Sequence, residues 1–120
     1  MNLIYVASPY THPHRDIMYA RAGRITQITA ELQDKYGNAN TFISPIVHGH
    51  QLVNTSAGLN LPGTWEYWEM HDFNLLKRCD ELWVVCMSGW DKSRGVESEI
   101  QFARKNRIIT RYVTDTGEIL

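Results

Sequence analysis

Glu81-Leu82-Trp83-Val84-Val85-Cys86-Met87 runs directly into Ser88-Gly89-Trp90-Asp91-Lys92-Ser93-Arg94-Gly95, and that polar turn opens an amphipathic stretch from about Gly95 to Lys105. An unbroken apolar run of strand formers reads as a strand covered on both faces, the pattern of a parallel sheet. A tight turn followed by apolar residues at three- and four-residue spacing reads as a loop and a helix. Arg107 to Val113 predicts a further strand, and the tail Thr114 to Leu120 is short. A strand, a crossing helix and a second strand in one sheet make a right-handed parallel unit.

The chain upstream repeats this alternation. Leu3-Ile4-Tyr5-Val6-Ala7 is an apolar run that stops at Ser8-Pro9 and predicts the first strand. After the turn-rich Thr11, His12, Pro13 and His14, the residues Met18, Ala22, Ile25, Ile28 or Thr29, Leu32 and Tyr36 recur at helical spacing as far as Gly37-Asn38. Thr41 to Ser44 predicts a second strand before Pro45, and Ile46 to Val53 a helical turn or two. Asn54 to Gly63 has the richest loop composition in the chain and suits a lid. Thr64 is a candidate cap for a helix reaching Cys79, with Trp65, Trp68, Leu75, Leu76 and Cys79 on one face. The expected architecture is a single α/β domain over residues 1–120, a three-layer sandwich with a four- to five-stranded parallel, Rossmann-like or flavodoxin-like sheet.

Composition narrows the function. The 120 residues are 43% hydrophobic and 21% charged with a net charge of -1, which excludes wholesale disorder and leaves no diffuse basic field for a nucleic acid polymer or an anionic membrane. No apolar stretch approaches the ~20 residues of a bilayer span, and the N-terminal residues lack a signal-type basic region, so a soluble cytoplasmic protein is expected. Cys79 and Cys86 form no CxxC pair and are read as packing. Dinucleotide, P-loop and GxSxG motifs are absent. His12-Pro13-His14 and His48-Gly49-His50 lack the cysteine or carboxylate partners of a metal site, so no metal and no cofactor is expected.

In an open parallel sheet, ligands bind beyond the carboxyl ends of the strands, where strand order reverses. That makes neighbours of Ala7 to Tyr10, Ser44 to Ile46, and Met87 to Gly95. The last segment feeds a helix N-terminus, whose free N–H groups and positive dipole end favour an anion such as phosphate; Ser93 is alternatively only an N-cap. Glu99 lies three residues after Val96 and four before Ala103, on the inward stripe, whereas Glu97 points elsewhere. Asp72 repeats this on the preceding helix, four residues after Trp68 and three before Leu75. Two inward carboxylates beside one strand suit glycosidic chemistry, one attacking an anomeric carbon and one orienting the sugar. The competing reading has Asp72 satisfying backbone groups and Glu99 paired with Arg94 or Arg104. Trp65 and Trp68 are read as packing, Trp90 stays open, and His48 with His50 can meet a nucleobase from the second loop.

Three motifs, Ile4-Tyr5-Val6-Ala7-Ser8-Pro9, His71-Asp72-Phe73-Asn74-Leu75-Leu76-Lys77-Arg78-Cys79-Asp80, and Ser93-Arg94-Gly95-Val96-Glu97-Ser98-Glu99-Ile100, resemble in order and spacing the nucleoside 2-deoxyribosyltransferase family and the related 2'-deoxynucleoside 5'-phosphate N-hydrolases. The resemblance implies Glu99 as the nucleophile at C1', Asp72 holding the sugar, Tyr5 steadying Glu99, and Asp80 in a structural role. The candidate substrate-binding residues are Ser8, Pro9, Ser93, Gly95, His48 and Trp90. Free-nucleoside transferases of this kind carry a carboxylate six residues before the nucleophile, where this chain has Ser93, so a nucleoside 5'-monophosphate is favoured over a free nucleoside. A non-catalytic nucleotide-binding module is the rival from another class. A small-molecule partner and a homodimer or higher homo-oligomer complete the expectation.

Overall fold

Side chains alternate across strand β1 (Asn2–Ala7): Ile4 and Val6 enter one core, Tyr5 and Ala7 the other, and all four are fully buried. Strand β3 (Glu81–Val85) does the same, with Trp83 and Val85 on the first side and Leu82 and Val84 on the second. Such two-faced burial is why both segments read as continuous apolar runs. The computed structural model describes residues 1–55 and 59–120. The remaining elements are α1 (Arg15–Tyr36), β2 (Asn40–Ile43), α2 (Pro45–Thr55), α3 (Trp65–Leu76), α4 (Arg94–Lys105) and β4 (Ile109–Val113). The four strands form one parallel sheet in the order β2-β1-β3-β4. The sheet is thus an α/β three-layer sandwich with four strands among the described residues, and strand order reverses between β1 and β3.

Ile25, Ile28 and Leu32 of α1 close the first core, and Ile28 rather than Thr29 takes the inward position. Leu76 with Val96 and Ala103 of α4 close the second. Several boundaries differ from those read in the sequence. α2 runs 11 residues instead of one or two turns. α3 ends at Leu76, because the Asp80 carboxylate reaches back to β1, where Leu3 N–H donates to Asp80 Oδ2 at 2.7 Å, and the chain needs the intervening residues to turn into the sheet. Thr64 stands at the N-cap of α3 without a side-chain capping bond. The lid expectation for Asn54 to Gly63 falls partly on residues 56–58, outside the described residues; within the rest, Trp68 Nε1 donates to Pro62 O at 2.7 Å.

The turn after β3 is held at one exacting point. Gly89 has φ +91°, and a Cβ there would lie 2.5 Å from Arg21 Nη2. The same guanidinium donates through Nη1 to Thr11 O at 3.0 Å, so it sits between the loop after β1, which it bonds, and Gly89 in the loop after β3. Gly89→Ala is therefore expected to cost about 1–2 kcal/mol in chemical denaturation, from left-handed backbone strain plus the displaced Arg21.

Candidate functional site

The reversal of strand order opens a cavity of about 330 Å³ beyond the carboxyl ends of β1 and β3. α2 supplies one wall, α3 and α4 the other. α3 and α4 run side by side in the same direction: the Trp65 indole lies 3.3–3.6 Å from where a Cβ on Gly95 would stand, and two turns on Phe73 stacks on Phe102 with centroids 4.5 Å apart. Both helices thus begin at the cavity rim. Asp72 and Glu99, each on the inward stripe of its helix, line the cavity with 8% and 4% of their surface exposed.

Tyr5 reaches Glu99 from the centre of the sheet. Its hydroxyl donates to Glu99 Oε2, and burial followed by the Glu99 and Asp72 carboxyls holds the phenol well above its ordinary range, so Tyr5 keeps its proton and acts as a donor. Burial pushes Glu99 up to about 8, against a lowering by the Tyr5 hydrogen bond and with a further raising by Asp72. Burial alone pushes Asp72 up to about 7. Burial thus holds two carboxyls up near neutrality at one cavity, and the Asp72 charge adds to the raising of Glu99. Tyr5→Phe removes the only contribution that favours the Glu99 carboxylate. Its titration is expected to move to higher pH by about 1–2 units, read by carbon-13 NMR of the side-chain carboxyl.

Neither rival role for these carboxyls describes the geometry. Arg94 pairs with Glu66 at 2.9 Å on the exposed rim, and Glu99 makes no ion pair among the described residues. Asp72 accepts no backbone hydrogen bond among them. Ser93 does cap α4, accepting from Val96 N at 3.2 Å. A hydroxyl that accepts one bond still has its own proton to donate, so capping leaves Ser93 free to meet an anion. Ser8 lines the cavity 6% exposed, and its Oγ has no hydrogen-bond partner among the described residues.

Glu99, Asp72, Ser8, Ser93 and Gly95 line the cavity, with Tyr5 behind Glu99. Pro9, His48 and Trp90 do not. Pro9 is buried outside the cavity lining and His48 is exposed, because the inward face of α2 carries Pro45, Ile46, Gly49, His50 and Val53. Trp90 packs edge-on against Tyr112 at 5.8 Å. The cavity histidine of α2 is His50, whose Nδ1 lies 2.6 Å from the Tyr10 hydroxyl and whose pKa burial pushes down. Trp65 and Trp68, read as packing, are instead cavity wall. Their spacing placed them on the Asp72 stripe, but a stripe does not reveal whether the space it faces is filled. Tyr10 carried no separate signal.

A family model described as "Domain of unknown function (DUF1937)" matches residues 2–112. The chain belongs to that family. No curated protein matches it. Among solved structures it is similar to a 2-deoxyribosyltransferase from the psychrotolerant bacterium Bacillus psychrosaccharolyticus, with 20% identity and a TM-score of 0.56 over 98% of this chain and 76% of that one. At that identity the likeness shows the fold, which is the deoxyribosyltransferase-like fold expected from the three motifs. No helix among the described residues is long and apolar enough to cross a membrane, and no group of three or more His, Cys, Asp and Glu residues among them can hold a metal ion.

Proposed function

We propose that the protein is an N-glycosidase that cleaves the base–sugar bond of a deoxynucleoside 5'-monophosphate. The observation that carries this reading is the buried Glu99 carboxyl, hydrogen-bonded by Tyr5, beside Asp72 and facing an open cavity, with no ion pair among the described residues. In its charged form Glu99 attacks C1' of the deoxyribosyl group. The C1'–N bond breaks, its electron pair leaves with the base, and a glycosyl ester forms on Glu99. Water, or a second base in a transfer reaction, then attacks C1' and frees the carboxylate, and the proton it gives up balances the one that the departed base takes on. Tyr5 stabilises the carboxylate before attack and after release. Asp72 holds the sugar and sets the charge that Glu99 feels. An oxocarbenium-like transition state draws its stabilisation from a carboxylate aligned in advance.

The 5'-phosphate goes to the start of α4, where Ser93 and the first-turn amides donate. A carboxylate at this position would repel it. Incubation with deoxynucleoside monophosphates and free deoxynucleosides, followed by chromatography of the released base, tests the reading. Release from monophosphates is the expected result. Base exchange between free nucleosides, unaffected by Ser93→Ala, makes the protein a nucleoside transferase instead. Binding without release of any base makes it a nucleotide-binding module.

A further inference from the structure

The cavity rim is formed by two helix starts, not one. α3 and α4 are each 12 residues long and run in the same direction with Trp65 against Gly95, and Arg94 Nη1 bridges to Glu66 Oε1 across their first turns at 2.9 Å. The two positive dipole ends therefore lie side by side at one cavity, to which Thr64, Trp65, Ser93 and Gly95 all contribute. α4 is capped by its own serine. α3 is not: Thr64 makes no capping bond, and the N–H groups of Trp65, Glu66 and Tyr67 have no acceptor among the described residues. Two residues that line the same cavity, Ser8 and Trp65, each also carry a buried polar atom without a partner among the described residues, Ser8 Oγ and Trp65 Nε1. Ser8 is 6% exposed, so its hydroxyl is shut away from bulk water. An indole N–H only donates, and a buried donor left unmade costs free energy that a bound acceptor would recover. Lys92, Arg94 and Glu66 line the same rim; Arg94 pairs with Glu66, so the three leave one net positive charge there.

We infer that the phosphate of the substrate is held between both helix starts, with Trp65 Nε1–H and the uncapped amides of α3 completing the site that Ser93, Ser8 and the start of α4 begin. This rests on the 5'-monophosphate reading and deepens it. It gives Trp65 a binding role that packing does not require, since phenylalanine would fill the same space against Gly95 and Phe73. A Cβ at position 95 would meet the Trp65 ring at 3.3 Å, so glycine there lets the indole lie closest against the start of α4. A ligand ending in a free 5'-hydroxyl offers one weak acceptor to this set of donors, whereas a phosphate offers three strong ones.

The experiment separates this inference from the reading beneath it by measuring binding and not turnover. Deoxyribose 5-phosphate and deoxyribose are titrated calorimetrically into the wild type and Trp65→Phe, after both have been shown by thermal melting to be folded. The ratio of the two affinities is expected to favour the phosphorylated sugar in the wild type and to fall about tenfold in Trp65→Phe. In parallel, inorganic phosphate is titrated into nitrogen-15-labelled wild type, with the Trp65 indole signal assigned by its absence from Trp65→Phe. A downfield shift of that signal, larger than those of the other three tryptophans, is the expected result. An unchanged affinity ratio with a stationary Trp65 indole signal overturns the two-helix site while leaving Ser93 and the 5'-monophosphate reading intact. Equal wild-type affinity for both sugars overturns the phosphate reading itself, and the inference with it.

Discussion

Glu99→Gln is expected to lower turnover by at least 10³-fold while making the protein more stable at alkaline pH. Loss of a nucleophile that acts in concert with its neighbours typically removes most of the rate enhancement, and glutamine keeps the shape and the acceptor for Tyr5 but cannot form the glycosyl ester. The stability change follows from the raised carboxyl. An acid pushed from its ordinary 4.5 up to about 8 by burial binds its proton more tightly in the folded than in the unfolded chain. Its full contribution to stability is present below about pH 4.5 and is lost as pH rises through 8. Glu99→Gln carries no such penalty. Against the wild type it should melt at nearly the same temperature at pH 5 and be more stable by roughly 3 kcal/mol at pH 9. Denaturant titrations at the two pH values, with base release measured on the same samples, check both halves. Retained turnover removes Glu99 from the reaction; an unchanged stability difference between pH 5 and 9 removes the buried, raised carboxyl.

The second large effect belongs to Asp72→Asn, for which base release is expected to fall about 100-fold. Asparagine preserves the shape of the side chain but not its charge. Because the Asp72 carboxylate raises Glu99, its removal lets Glu99 ionise at lower pH. The rising limb of kcat/KM against pH, which in the wild type belongs to the coupled pair between about 7 and 8, should therefore move to lower pH in the residual activity. The direction is opposite to that expected for the Glu99 titration in Tyr5→Phe. A purely structural Asp72 would lower the melting temperature and leave the limb where it was. Stability should instead rise above pH 7, since burial pushes Asp72 up as well. Stability gained as activity is lost is the expected trade where buried charge serves chemistry.

Most of the sheet was legible because β1 and β3 are covered on both faces and leave an unbroken apolar record, and because an inward stripe with one carboxylate in it contradicts the pattern around it. Asp72 and Glu99 stand out in the sequence for that reason. Ser93, the N-cap of α4, is legible from its place before a helix. α2 is the weak point: without its true length the phase of the helix is undefined, so the sequence offers both His48 and His50, and the site expectation falls on His48 where His50 stands. Trp90 illustrates a different limit, since whether an aromatic residue after a strand meets a ligand or the core depends on Tyr112 from the neighbouring strand.

Local pattern alone determined the four strands, the inward stripes of α1, α3 and α4, and which two acids break an apolar stripe, because periodicity records the burial of each element. Only the tertiary structure decided that α3 and α4 start side by side, that Tyr5 reaches Glu99 across 94 positions of chain, and that Trp65 and Trp68 border open space. A cavity is a relation between faces of different elements, and no single element's periodicity carries it.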